Sequence, residues 1–157
     1  MRPIVALLLA LVLAACGSAS GREAELAEYA TLVPTRGAYV RMLTADGERW
    51  RATFDADEQK ILIHGAWHAE GKFSTMGIGP APTEKLWKLQ TSVMAGPQPA
   101  WRHDPNLKLE IAFGDKNKAM LIKTHGPFVD GDAKAFFDYV KGFVPDPDDP
   151  ANGRQRQ

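Results

Sequence analysis

LKLEIAF, residues 107–113, alternates large apolar side chains with polar or small ones more regularly than any other stretch of the chain. Successive side chains of a β-strand point to opposite faces of the sheet, so this alternation predicts a strand with one apolar face. That face would carry Leu107, Leu109, Ile111 and Phe113, and the other Lys108, Glu110 and Ala112. Because an apolar sheet face has to be covered, helices are expected elsewhere in the chain.

Four further strands are predicted upstream of this one. Residues 38–44 and 48–54 flank Ala45-Asp46-Gly47, and an Asp-Gly pair between two extended runs is a strong hairpin signal. Residues 60–69 and 72–78 form the third and fourth strand candidates. Residues 119–125, after the turn that follows the 107–113 strand, complete a set of about six.

Apolar residues recur at helical spacing in two places. Residues 83–94 form the first, and the second starts at Asp130 or Asp132, either of which would cap it, and reaches towards Val144. The element order is therefore ββββ-α-ββ-α. We predict an α+β fold: an antiparallel sheet of about six strands with two helices on one face.

The N-terminus begins with a basic residue and continues as an uncharged run over residues 4–15. A helix that spans a bilayer needs roughly 20 apolar residues, so this run is too short to span and is typical of a signal peptide. It ends in Leu13-Ala14-Ala15-Cys16, which resembles the lipobox of bacterial lipoproteins. The alternative is an ordinary secretory signal with a cysteine there by chance.

The lipobox resemblance implies a lipid anchor. In that family the cysteine thiol receives a diacylglyceryl group, cleavage falls just before the cysteine, and its new amino group is acylated. Cys16 would then hold the chain on a lipid bilayer in the cell envelope of a bacterium. Gly17 follows it, where aspartate commonly signals retention in the inner membrane, so the resemblance favours the outer membrane with the protein facing the periplasm.

Four segments follow from these patterns. Residues 1–15 are predicted to be the signal peptide, 16–35 a lipidated tether, 36–144 a single α+β domain and 145–157 a disordered tail rich in proline and aspartate.

Composition limits the partners of this domain. Without Arg2 the 19 basic residues fall to 18, against 19 acidic ones, and so balanced a charge predicts no nucleic-acid partner. With the only cysteine acylated, no intramolecular disulfide is expected, so a packed core must provide the stability.

His64 and His68 are the candidate metal ligands, because they lie four residues apart. In a continuous strand they would share a polar face with Glu70, opposite Ile61, Ile63 and Trp67, but lie about 13 Å apart. One metal ion could not bind both. We therefore predict no metal site and no cofactor.

The loop at residues 95–106 contains the candidate partner-binding residues, Trp101, Arg102 and His103. An irregular segment of this length is often functional, and tryptophan and arginine are enriched at binding hot spots. The alternative is that Trp101 only packs the loop onto the domain.

No catalytic residue is predicted, because the chain has neither a G-x-S-x-G nor an H-E-x-x-H stretch and its one thiol would be acylated. The sequence therefore favours a non-enzymatic binding or accessory role towards an envelope protein or a cell-wall component. One alternative is a small divergent hydrolase with a His/acid site drawn from His64, His68, His103 and His125. Another is a peptidase inhibitor or chaperone.

Overall fold

The computed structural model describes residue 21 and residues 23–116 and 118–149. The lipobox and Cys16 lie outside these residues. Residues 23–30 form helix α1. The other elements are β1 Arg36–Thr44, β2 Gly47–Asp55, β3 Lys60–Gly65, β4 Ser74–Gly77, α2 Pro80–Ala95, β5 Leu107–Asp115, β6 Lys118–Thr124 and α3 Gly131–Lys141.

The six strands form one sheet in the order β4-β3-β2-β1-β5-β6, with every neighbouring pair antiparallel. The predicted α+β class and six-stranded antiparallel sheet are confirmed. β1 is central and sets the register of both neighbours, because Val40 lies opposite Ala52 of β2 and Ile111 of β5. The apolar positions of three strands therefore form one continuous row.

One face of the sheet, together with α2 and α3, encloses the core. The two helices contribute Leu86 and Val93 from α2 and Ala133, Phe136, Phe137 and Val140 from α3. The strands contribute Val40, Trp50, Phe54, Ile61, Ile63, Leu109, Ile111 and Phe113. The alternation in residues 107–113 is therefore resolved as predicted, with Leu109, Ile111 and Phe113 buried against the helices.

A β-bulge at Arg49 changes which face the side chains of β2 occupy. Met42 lies opposite Trp50 and Leu43 opposite Glu48, which leaves Arg49 without an opposite residue in β1. The extra residue places Trp50 in the core and Glu48 on the other face, although strict alternation would put them on the same one.

The bulge also ties the end of the chain to the sheet. The Arg49 guanidinium lies 5.5 Å from the Trp67 ring and forms ion pairs with Asp146 and Asp148. These charge-assisted hydrogen bonds lower the pKa of Asp146 from its ordinary value. Asp146 is buried, so the packed structure extends beyond the predicted boundary at residue 144.

β3 ends at Gly65 and does not continue to residue 69 as predicted. The chain turns there, and the Trp67 indole folds back over Gly65, where an added Cβ would lie 2.4 Å from the ring. Only glycine leaves room for this contact. Trp67 is therefore half-buried at the edge of the core, whereas Ile61 and Ile63 are fully buried.

α1 lies on the face of the sheet opposite α2 and α3. Tyr29 is buried there against Tyr39 and Ala112, with the two tyrosine rings edge to face at 6.0 Å between centroids. The Tyr29 hydroxyl donates a hydrogen bond of 2.5 Å to the buried Glu110 carboxylate. Within the segment predicted to be a tether, Tyr29 is therefore packed against the domain, because its hydroxyl finds a partner 81 residues away in sequence.

Candidate functional site

Residues 100–104 run antiparallel to residues 125–129 as a short backbone ladder outside the main sheet. Trp101 and Phe128 form its β-bridge. Three hydrogen bonds join the two segments: Arg102 N–H to Pro127 O at 2.9 Å, Asp104 N–H to His125 O at 2.8 Å and Val129 N–H to Ala100 O at 3.1 Å. This part of the 95–106 loop is thus fixed like an edge strand.

Gly126 makes the close approach of these two segments possible. Its φ is +138°, and a Cβ added there would lie 1.8 Å from the Arg102 carbonyl oxygen. The buried Thr124 hydroxyl donates a hydrogen bond of 2.7 Å to the Gly126 carbonyl and so fixes the turn from below. The position of Trp101 therefore depends on a glycine in the neighbouring segment.

Exposed side chains cluster on this ladder. Trp101 is 40 % exposed, and its ring centroid lies 6.3 Å from that of His103 and 6.4 Å from that of His125. Arg102 is also exposed, and Val129 is 55 % exposed. We refer to Trp101, Arg102, His103, His125 and Val129 as the Trp101 surface.

The structure thus brings together the three predicted partner-binding residues and adds Val129, which the sequence did not single out, and His125, which was named only for the hydrolase alternative. His125 looked like the end of a strand, which it follows directly. Phe128, the bridge partner of Trp101, is only 4 % exposed and packs in the core. It is therefore Phe128 that attaches this ladder to the domain, while the indole opposite it faces outwards.

A groove of about 380 Å³ continues the Trp101 surface towards α3. Its lining includes Pro97, Pro99 and Ala100 from the loop, and Asp130 and Ala133 from the start of α3. Ala100 belongs to both the groove and the ladder, so an extended partner could contact the indole and enter the groove together.

His64 and His68 are closer than the strand spacing predicted. Their ring centroids lie 5.8 Å apart and not about 13 Å, because β3 ends between them at Gly65. His68 accepts a hydrogen bond from Gly65 N–H at 2.9 Å through Nδ1 and contacts Ser74 Oγ at 3.0 Å through Nε2. His64 Nδ1 bonds the Lys72 carbonyl.

Both rings therefore hold the connection between β3 and β4. In the described part of the chain, no three His, Cys, Asp or Glu side chains are grouped so that they could hold a metal ion.

The arginines of the first hairpin are neutralised by carboxylates. The ion pairs are Arg36 with Asp57, Arg41 with Glu48 and Glu110, Arg49 with Asp146 and Asp148, and Arg51 with Glu48. Burial acts to raise the pKa of Glu110, but hydrogen bonds from Tyr29 and Lys108 outweigh it and lower that pKa. The Glu110 carboxylate is thus held ionised within the sheet face that α1 covers.

No family model matches the chain, and a search of curated proteins finds no match either. Among the described residues, no helix combines the length and the apolar character that crossing a membrane requires. The Trp101 surface is therefore characterised by its geometry alone.

Proposed function

We propose that this chain is a lipid-anchored protein of the bacterial cell envelope that binds a partner through the Trp101 surface. The observation that carries this proposal is an exposed indole on a backbone fixed by three hydrogen bonds. A fixed backbone loses little entropy on binding, and tryptophan beside arginine is the composition of a hot spot. The role is binding or accessory, not catalytic.

An envelope protein is the favoured partner. Trp101 and Val129 offer apolar area, Arg102 offers a charge, and the adjoining groove suits an extended peptide segment. A cell-wall component is the other outcome that the same experiment would identify.

The arrangement of the histidines supports binding over the hydrolase alternative. His64 and His68 are engaged in the β3–β4 connection, whereas His103 and His125 flank the Trp101 indole. Among the described residues, no three of these histidines converge within metal-ligand distance, as a metal-dependent hydrolase would need.

The lipid anchor is supported by the sequence of residues 4–16. Gly17 after Cys16 favours sorting to the outer membrane, with the domain facing the periplasm. Several acyl chains on one cysteine would give the stable attachment that a single chain does not.

Cys16→Ser is expected to release the protein from membranes without unfolding it, because the core clusters of the described residues are formed by Tyr29 and residues that follow it. Membrane fractionation measures the release, and mass spectrometry of the native protein measures the modification. A free thiol at Cys16, or a mature N-terminus elsewhere, would contradict the anchor.

Trp101→Ala is expected to lower partner capture by about thirtyfold, the equivalent of a hot spot of about 2 kcal/mol. The change in unfolding free energy should stay below about 2 kcal/mol, less than for a core aromatic residue, because Trp101 is 40 % exposed. Capture is measured in living cells with a photo-crosslinking residue at Val129, followed by identification of the adduct.

Phe73→Ala is the matched control, because Phe73 is an aromatic residue that is 60 % exposed elsewhere on the domain, beside His64. It should leave the crosslinks intact. A large loss of stability in Trp101→Ala would support the packing alternative. Unchanged stability with unchanged crosslinks would exclude the Trp101 surface.

A further inference from the structure

α1 is attached to the sheet by few contacts. Of residues 23–32 only Tyr29 is buried, with Glu25 and Leu26 half-buried and the others exposed. A cavity of about 200 Å³ lies between α1 and the β5–β6 hairpin, next to Leu26 and Ala30. An element with one buried side chain and a gap beneath it belongs to the least stable part of a domain.

The contacts that do hold α1 are specific and polar. Tyr29 donates to Glu110, which also pairs with Lys108 Nζ at 3.0 Å. Lys123 forms an ion pair with Glu25 and lies 5.4 Å from the Tyr29 ring centroid. The hydrogen bond from Tyr29 to the buried Glu110 carboxylate is therefore the central contact of α1 with the sheet. Lys123 adds a second contact at the edge of the helix.

The main core of the domain does not include α1, because this core lies on the opposite face of the sheet, between the strands and α2 and α3. Opening α1 would uncover Tyr39 and Ala112, which form the small second cluster with Tyr29. Release of α1 therefore costs the Tyr29–Tyr39 ring contact, the hydrogen bond to Glu110 and the two contacts of Lys123, and it leaves the main core intact.

Docked and released states differ in how far the domain can extend from Cys16. Residue 23 lies seven steps along the chain from Cys16, a span of at most about 25 Å at roughly 3.5 Å per residue. Arg36, the first residue of β1, lies twenty steps from Cys16, a span of at most about 70 Å.

We infer that α1 is a releasable strap that sets the reach of the domain from its membrane anchor. Docked through Tyr29 and Glu110, it limits the tether between Cys16 and the domain to about 25 Å. Released and extended, it lengthens that tether to about 70 Å, so the Trp101 surface can reach a partner further from the bilayer. The reach rests on the lipid anchor under Proposed function, whereas opening of the strap is a property of the folded domain alone.

The first test measures opening without lipid, by amide hydrogen exchange on the full chain carrying Cys16→Ser. Tyr29→Phe removes only the hydroxyl, and it is expected to speed exchange at the amides of Leu32 and Val33, which bond the Tyr29 carbonyl, by about tenfold or more. Amides of β1 and β5 should change less than twofold. Glu28→Gln, at an exposed position of the same helix, is the control and should match the parent.

Unchanged exchange in α1, or an equal rise in α1 and in the sheet, would contradict the inference that α1 opens by itself.

The second test places the lipidated protein on a supported bilayer and measures the gap between bilayer and domain by neutron reflectometry. Tyr29→Ala should widen this gap. An unchanged gap despite faster exchange would contradict the inference that α1 sets the distance between the domain and the bilayer. An unmodified Cys16 would contradict both the lipid anchor and the role of α1 in setting the distance from the membrane. The exchange result would still decide whether α1 opens.

Discussion

Trp50→Ala is expected to lower the free energy of unfolding by about 3–5 kcal/mol, the range for deleting a large buried aromatic side chain. Trp50 has no exposed surface and stacks on Phe137 of α3, with ring centroids 5.7 Å apart and planes 20° apart. It joins the sheet to the helix layer next to the bulge at Arg49. Deletion would leave a cavity between two elements that cannot both move into it.

Trp50→Phe separates the apolar contribution of this residue from its polar one. The buried indole nitrogen has no hydrogen-bond partner among the described residues, and a buried unpaired donor costs about 1–3 kcal/mol. Phenylalanine would keep the stacking and remove that donor. We therefore expect Trp50→Phe to stay within about 1.5 kcal/mol of the parent.

Urea unfolding measures both variants, with the slope checked for a change in the unfolded state. Trp67→Ala is the comparison: its half-buried ring should cost about 1–3 kcal/mol, less than Trp50→Ala. Equal losses for Trp50→Phe and Trp50→Ala would show that the indole nitrogen contributes a bond. A loss at Trp67 as large as at Trp50 would contradict the assignment of the core.

The sequence predicts the sheet well where burial repeats at every second residue. Leu109, Ile111 and Phe113 all face α2 and α3, because a strand covered on one side has to alternate. The hairpin at residues 45–47 could be predicted because its turn needs a residue with positive φ, and the Asp-Gly pair supplies Gly47, whose φ is +113°. Periodicity and turn residues are local signals, and the structure agrees with both.

The same signals fail where distant residues decide the structure. Nothing in the alternation of residues 60–69 shows that β3 ends at Gly65, because the Trp67 ring over that glycine is a tertiary contact. Residues 23–30 were assigned to the tether, and only contacts with the distant Tyr39, Glu110 and Ala112 show that Tyr29 lies on the sheet. The bulge at Arg49 is equally invisible without its partners in β1 and in the C-terminal segment.

The residues of the candidate site could be predicted in part, but the backbone ladder that positions them could not. Residue type and the length of the loop singled out Trp101, Arg102 and His103. The ladder that fixes them pairs residues 100–104 with 125–129, and no periodic pattern marks either segment. The predicted strand ends at residue 125, but the closeness of Gly126 to the Arg102 carbonyl is visible only in the folded chain.

Gly126→Ala is expected to cost about 2–5 kcal/mol and to weaken partner capture without altering any side chain of the Trp101 surface. Alanine is strained at a φ of +138°, at about 1–3 kcal/mol, and the clash of its Cβ with the Arg102 carbonyl adds a cost of overpacking. The ladder would have to separate to relieve the clash, and that displaces the Trp101 backbone.

Gly47→Ala is the matched control, because Gly47 has a similar φ of +113° but nothing within 4 Å of an added Cβ. It carries the strain of the backbone conformation without the clash, so the difference between the two variants measures the close approach. Urea unfolding gives both costs, and crosslinking at Val129 gives capture. Equal losses of unfolding free energy in the two variants, with unchanged crosslinks, would show that the ladder accommodates the added Cβ without displacing Trp101. A larger cost at Gly126 with lost crosslinks would show that partner binding depends on a backbone held rigid from the neighbouring segment.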